Sequence, residues 1–551
     1  MNKKVQTSFS NEKPNIKVKK ISFFSAIMLV IGSSIGAGIF LKNGEILRNV
    51  QGSIVLSLIS WIVSIIAVIA MGISLAEVTS ANKNNNQGII GWVKCFNTPF
   101  IHKMTKYFMA FIYLPLDFFC MPYYAIMTIQ DAFGWQTNCW VAAGISLIIA
   151  LWFFLTSGIS SWWGNVQNWI ITSVKFLPLI FAGLIGFVML MCNQKPTASV
   201  IPSILPDEKW KIDHALFCQI FPGLGIIGSI PSIIFSFDGF YTSASLRSEM
   251  EKPEKIVSAT TIGLVIVSVI DMLISLSLLF GSTNGKINGI NWFNDNNAHW
   301  VITIIDLLIA FGILGITNGL TMYNTRFYDD LIKNNEIIFA DKFQPKLRTN
   351  KPLAGLLYSA CICPIVFTFF TLVGSLGYMD TSGYSLLKMY DINNMPLLNE
   401  GYDSHATAIG NLNNLYSMCD LVANWSSMLI FVCITISIIG CLINRKTNRV
   451  KIEKNKWFVA CAWISSLIIG IGILFIVISS IVNIGIVANW YKDINTIIFD
   501  TSEPINYTKE QWLNDLVGAI MTLIILIIIV LSCVIPSWIE TRKNKLRKIT
   551  K

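Results

Sequence analysis

The stretch GSSIGAGIF (32–40) decides how the rest of the chain is read. It lies in an apolar window, 22–41, of the length needed to cross a bilayer core of about 30 Å. Yet it packs three glycines and two serines into nine residues, a poor composition for a continuous helix. Loss of helix pairing at Gly36–Gly38 frees backbone N–H groups at membrane depth. Unwound backbone persists there only where it lines a cavity or is buried in protein. The competing reading is that these small residues only let two helices approach closely.

A second interruption, FSFDGF (235–240), follows about 200 residues later and places an acid and a glycine in the window 223–246. The intervening and following windows run 53–76, 107–130, 139–157, 166–191, 256–281, 299–324, 353–377, 415–443, 457–488 and 513–536. With 54% hydrophobic residues, 13% charged residues and a mean hydropathy of +0.60, the 551-residue chain is too apolar for a soluble protein of this length. The expectation is an all-α integral membrane protein with 12 transmembrane helices. The two interrupted helices each open a group of five, which suggests two inverted repeats, about 22–191 and 223–443, with a site at their interface.

Lys and Arg concentrate in both tails and in alternate connections, which predicts an even helix number with both termini in the cytoplasm of a cell-membrane protein. The net charge of +10 resides largely in segments such as KVKK (17–20) and TRKNKLRK (541–548), and these suit anionic lipid rather than nucleic acid. The first window leads into further spans with no cleavage site, so it reads as a retained helix. The twelve cysteines are scattered, and a disulfide between Cys192 and Cys218 is left open. Four histidines and one C-x-C, Cys361 and Cys363, give no metal motif, and no cofactor is expected. No H-E-x-x-H or G-x-x-x-x-G-K-[ST] pattern occurs, and the G-x-S-x-G match GSSIG (32–36) lies within an apolar window with no strand before it, which argues against an embedded hydrolase or an ATP-driven pump.

Amides freed in GSSIGAGIF suit a carboxylate at a half-helix N-terminus. Carbonyls of Phe235, Ser236 and Asp238, freed in FSFDGF, suit an ammonium group. Donors facing acceptors across one cavity describe a site for the zwitterionic backbone of an amino acid.

On these residues the chain resembles the amino acid–polyamine–organocation permeases. GSSIGAGIF is similar to their first-helix motif, and FSFDGFYTSASLRSEMEKPEK (235–255) to their sixth helix with its acidic, proline-containing loop. GNVQNWIITSVKFLPL (164–179) and NGLTMYNTRFYDDLIKNNEI (318–337) are similar to the fifth and eighth helices. The resemblance covers about residues 20–445. It implies a fold like that of bacterial sodium-coupled leucine transporters: a ten-helix core, 22–443, followed by two added helices, 457–536, between basic tails 1–21 and 537–551. It further implies carboxylate binding by the amides of Gly36, Ala37 and Gly38, and amine binding by the carbonyls of Ser34, Phe235, Ser236 and Asp238. The role of an aromatic gate falls to Phe237 or Phe235.

Within WIITSVKFLPLIFAGLIGF (169–187), Lys175 stands three residues before Pro178. It resembles a family lysine placed where sodium-coupled relatives bind sodium, and it implies a contact to a first-helix carbonyl near Gly32. An intramembrane charge is expensive, at least about 2.5 kcal/mol on insertion scales. Three readings stay open: proton binding and release, a permanent tether between helices, and snorkelling to water. Asp117, Asp271, Asp306 and Asp420 carry less weight, and Glu249 and Glu251 read as an inner gate with Arg247 or Arg326, or as solvated charges.

The expected activity is secondary transport of an amino acid, a small-molecule substrate, coupled to a proton or a counter-substrate. A sensor of permease fold and a polyamine transporter are the alternatives. The extracellular segment 378–414 reads as a plain insertion, and the motifs leave side-chain specificity and oligomeric state open.

Overall fold

The computed structural model describes residues 22–34, 38–81, 88–134, 137–192, 216–241, 251–282, 290–347, 351–379, 402–493, 497–498, 505–506 and 509–549. The architecture is all-helical apart from one antiparallel pair of two-residue strands, β1 (Ile497–Ile498) and β2 (Ile505–Asn506). Among the described residues, ten helices are long and apolar enough to cross a membrane. The two remaining expected windows hold shorter helical pieces.

The first of these pieces is α1 (Phe23–Ser34), resumed by α2 (Gly38–Asn49). After α3 (Ile54–Ser80) comes α4 (Gly88–Phe96), a nine-residue helix that hydropathy windows of spanning length pass over. Its Ile89, Ile90, Trp92 and Val93 are buried. The next span is composite, with α5 (Pro99–Phe108), a π turn (Met109–Tyr113) and α6 (Leu114–Phe133) in continuous succession. Then follow α7 (Cys139–Thr156) and α8 (Ser161–Met191).

The second interrupted window holds α9 (Pro222–Gly228) and α10 (Ile230–Ser236). The chain continues through α11 (Ile256–Gly281), α12 (His299–Lys333) and α13 (Leu353–Leu372). Last come α14 (Tyr402–Thr447), α15 (Phe458–Asn489) and α16 (Lys509–Ile549).

The chain packs as a protein whose outer surface faces hydrocarbon. Trp152, Leu155, Trp169, Ile170, Leu177 and Ile180 on α7 and α8 are exposed, although they are residue types that water would drive inward. Polar groups gather inside instead, with Ser60, Ser64, Ser275, Thr321 and Asn318 all fully buried.

Helix α12 packs on α6 and α8, and α11 packs on α8, α1 and α3. Small residues permit this closeness: a Cβ on Gly186 of α8 would sit 1.6 Å from the Ser277 carbonyl oxygen of α11. On the far side, α15 lies against α3 and α14, and α16 against α15 and α5. Cys192 and Cys218, like the other ten cysteines, are free thiols. Tail 1–21, most of segment 378–414, Arg247 and Glu249 lie outside the described residues.

Candidate functional site

The start of α2 meets the end of α10. A Cβ built on Gly38, the first residue of α2, would fall 2.7 Å from Ser236 Cα, 2.8 Å from its Oγ and 3.1 Å from Phe235 Cδ1. No side chain larger than hydrogen fits, so the glycine sets how closely the two elements approach. Gly36 and Ala37 lie outside the described residues.

Helix α10 ends by tightening before it unwinds. Phe237 N–H donates to the Ile234 carbonyl at 3.0 Å and Asp238 N–H to the Phe235 carbonyl at 3.2 Å. Gly239 then takes φ +96°, a left-handed conformation that ends the helix. The Phe235 carbonyl, expected to be freed, therefore already accepts one bond through the i→i−3 contacts that close many helix ends. Its second lone pair remains available.

The last residues of α1 and α10 each carry a buried hydroxyl without a partner among the described residues. Ser34 and Ser236 are 1% and 3% exposed, and neither Oγ makes a hydrogen bond among the described residues. Buried polar atoms are rarely left so, and each such case asks for an explanation.

Asp238 is held from three sides. Its Oδ1 accepts from Tyr113 Oη at 3.0 Å and from Gly239 N–H at 2.8 Å, and its Oδ2 accepts from Ser427 Oγ at 2.6 Å. Tyr241 Oη in turn donates to Tyr113 Oη at 2.6 Å. Tyr113 closes the π turn before α6, the kind of local underwinding that often marks functional sites.

Above Phe235 lies a cation. Lys42 of α2 is fully buried, its Nζ 2.6 Å from Asp420 Oδ1 and 3.3 Å from Tyr124 Oη. The ammonium rests 5.0 Å from the centroid of the Phe235 ring and 5.5 Å from that of Tyr124. Tyr124 Oη donates to Asp420 Oδ1 at 2.9 Å. One turn on, Asn424 Nδ2 donates to both oxygens of Glu45, at 2.9 and 3.0 Å. Phe237 is instead packed edge-on against Trp61 of α3, with ring centroids 6.3 Å apart. Phe235 is thus the aromatic under the ion pair.

Lys175 of α8 donates to the Gly32 carbonyl of α1 at 2.7 Å. It stands beside Gly312 of α12, whose added Cβ would lie 3.4 Å from Lys175 Cβ. Pro178 has no N–H to give the Val174 carbonyl, which weakens α8 one turn after the lysine. Among the other acids, Asp271 is buried in α11 with no partner on either oxygen among the described residues, and Asp306 is buried in α12. Arg326 donates to the Met322 carbonyl of its own helix.

The sequence reading brought Gly38, Phe235, Ser236 and Asp238 into one neighbourhood, and Lys175 to Gly32 in another. It missed Lys42, Tyr113, Tyr124 and Ser427. Lys42 falls one residue past the window 22–41 and counts there as a flanking charge. The spacing Lys42–Glu45, two charges one helical turn apart beyond a glycine break, is the signal that points to it.

The sequence model of the amino acid permease family matches residues 21–499. An uncharacterized protein of Mycoplasma pneumoniae is 32% identical over 567 aligned residues, spanning 96% of this chain and 95% of that one. The serine/threonine exchanger SteT of Bacillus subtilis is 23% identical over 344 residues, 60% of this chain and 73% of SteT. Among solved structures, a point mutant of the Eremococcus coleocola manganese transporter is 14% identical with a TM-score of 0.45, covering 94% of both chains. MhsT in complex with L-phenylalanine is 10% identical with a TM-score of 0.42, covering 82% of this chain and 97% of MhsT.

Proposed function

The chain belongs to the amino acid permease family, and we propose from that premise that it moves an amino acid across the cell membrane by alternating access, as an exchanger or with a proton. It is a multi-pass membrane transporter. The observation that carries the amino acid reading is the junction of the two interruptions. Gly38 and Ser236 are in contact, and the buried hydroxyls of Ser236 and of Ser34 at the end of α1 lack partners among the described residues.

In this reading the substrate carboxylate takes the amides of Gly36, Ala37 and Gly38, and its ammonium takes carbonyls of Ser34, Phe235, Ser236 and Asp238. The Ser34 and Ser236 hydroxyls complete the set. Backbone groups then recognise substrate backbone, and neighbouring side chains select the substrate side chain.

The gate role goes to Phe235, which lies beneath the Lys42–Asp420 pair. With both termini in the cytoplasm, that pair closes the extracellular side. Residues 22–443 form the moving core, and 457–536 lie beside it. Lys175 is the coupling group, because a protonated ammonium ties α8 to the Gly32 carbonyl by a charge-assisted bond that deprotonation weakens. The name of the SteT relative favours exchange as the basal mode.

The experiment is uptake of a labelled amino acid panel by proteoliposomes preloaded with unlabelled amino acids. Saturable uptake stimulated from the opposite side is expected. Its absence for every amino acid, with and without a proton gradient, overturns the reading.

A further inference from the structure

Resting on the transport reading above, we infer that Asp271 of α11 is a proton-binding site, separate from Lys175, and that the chain closes into the described arrangement only with that proton bound. Asp271 is 1% exposed, and neither of its carboxyl oxygens has a hydrogen-bond partner among the described residues. No other carboxyl among the described residues has both oxygens buried and unbonded.

Its place on the helix follows from the contacts on either side. Leu264, Ser268, Asp271 and Ser275 recur at three- and four-residue spacing and form one stripe of α11. At one end of the stripe, a Cβ built on Gly72 of α3 would lie 2.6 Å from Leu264 Cδ1. At the other, Ser275 Oγ donates to Asn43 Oδ1 of α2 at 2.8 Å. Beside the stripe, Gly263 meets α1, where an added Cβ would lie 2.7 Å from Val30 Cβ. Asp271 thus stands between the contact of α11 with α1 and its contact with α2, at the level where the chain passes from α1 to α2.

The surroundings are polar but carry no charge for it. Asn43 Nδ2 and Ser64 Oγ are buried and also lack partners among the described residues. Ser64 lies on α3 between Gly72, opposite Leu264, and Ile54, which packs with Leu279, and so shares the level of Asp271. Of the elements packed on α11, α1 has no charged residue and α3 has only Glu77, bonded to Arg445. α8 has only Lys175, bonded to the Gly32 carbonyl. α2 has Lys42, held by Asp420, Glu45, held by Asn424, and Arg48 in its last turn. Glu254 and Lys255 precede the first residue of α11. None of these charges acts on Asp271.

An ionised carboxylate with neither donor nor cation is too costly at membrane depth, so the group holds a proton here. An acid that stayed neutral throughout would do nothing an asparagine could not. Asp271 faces the elements that alternating access separates, and parting of the Ser275–Asn43 contact admits water to its level. The carboxyl O–H bond then breaks, its proton leaves on water as hydronium, and the reverse step restores the neutral acid. The closed arrangement therefore binds one proton more than the open one. Low pH favours closure, and rising pH opposes it.

The test is exchange of a labelled amino acid by the full chain in proteoliposomes, at equal pH on both sides, raised stepwise from acid to alkaline. Each half-cycle passes through the closed arrangement, so wild-type exchange is expected to slow as pH rises, approaching about tenfold per pH unit. Asp271→Asn keeps the shape of the neutral acid and is expected to exchange at one rate throughout. Asp271→Glu is expected to restore a fall with pH. The fall should persist in Lys175→Ala, whatever that variant's absolute rate. Wild-type exchange that ignores pH overturns the inference and leaves the transport reading standing. A fall that survives in Asp271→Asn, or vanishes in Lys175→Ala, also overturns it. No exchange of any amino acid at any pH removes both. The wild-type and Lys175→Ala profiles involve no change at Asp271, so a misfolded Asp271→Asn still leaves a decisive result.

Discussion

The Lys42 ammonium and the Asp420 carboxylate lie 2.6 Å apart, but their burial is unequal: the lysine side chain is 1% exposed and the aspartate 33%. The inequality makes the two deletions differ. Lys42→Met leaves an aspartate that still accepts from Tyr124 and reaches water, a loss of about 1 kcal/mol. Asp420→Ala leaves a buried ammonium with Glu45 at 3.8 Å, the Tyr124 hydroxyl and the residue 420 carbonyl at 3.4 Å but no close carboxylate, a loss nearer about 3 kcal/mol. Thermal unfolding of the detergent-solubilised chain should therefore rank Asp420→Ala below Lys42→Met. The reverse order would show that the pair is not the anchor of the α2–α14 contact.

Two glycines of the opening motif should behave oppositely. Gly38→Ala forces a methyl group into the Ser236 backbone, an overpacking of about 1–3 kcal/mol that separates the two interruptions. Gly32→Ala meets nothing within 4 Å and keeps the carbonyl that Lys175 uses. Transport is expected to be lost in the first variant and kept in the second. Equal activity in both would mean the Gly38–Ser236 approach is incidental.

The unpartnered hydroxyls predict a trade between stability and binding. Removing a buried hydroxyl that bonds nothing relieves desolvation, so Ser34→Ala and Ser236→Ala should each leave the ligand-free chain as stable or up to about 1 kcal/mol more stable. The same changes should raise the apparent substrate KM about five- to tenfold, since a hydrogen bond to a charged ligand is worth about 1.5 kcal/mol or more. Melting curves and initial uptake rates measure the two effects. A destabilised variant with unchanged KM would assign these serines to packing.

Lys175 is the test of coupling. Lys175→Ala removes the bond to the Gly32 carbonyl, and it is expected to abolish accumulation driven by an inward proton gradient while leaving exchange within about twofold. Loss of exchange together with accumulation would make Lys175 a structural tether.

Helix positions were legible where burial in lipid is the only demand. The window 256–281 coincides with α11, and 353–377 with α13 plus its terminal π turn. Elsewhere helices outrun their apolar windows: α14 starts at Tyr402 rather than 415, and the α5–α6 span at Pro99 rather than 107. Hydropathy marks where lipid is, whereas backbone pairing continues through the polar residues beyond it. α4 is shorter than any spanning window and escaped for that reason.

At the site, glycines and an acid inside apolar windows pointed to Gly38 and to the end of α10 at Ser236, because each is unfavourable there without a purpose. The ion pair did not announce itself. Lys42 and Asp420 are 378 positions apart, and nothing local in either segment names the other. The Tyr113–Asp238 contact depends on a π turn whose added residue no periodicity displays.

The most direct measurement of the central claim, that the two interruptions together hold the substrate, is an experimental structure of the chain with a transported amino acid. The account predicts that the ligand lies at the Gly38–Ser236 junction, with its carboxylate on the amides of 36–38 and its ammonium toward Phe235, Ser236 and Asp238. The Ser34 and Ser236 hydroxyls should then be hydrogen-bonded. A ligand bound elsewhere in the bundle, with helix running unbroken through 35–37, would contradict it.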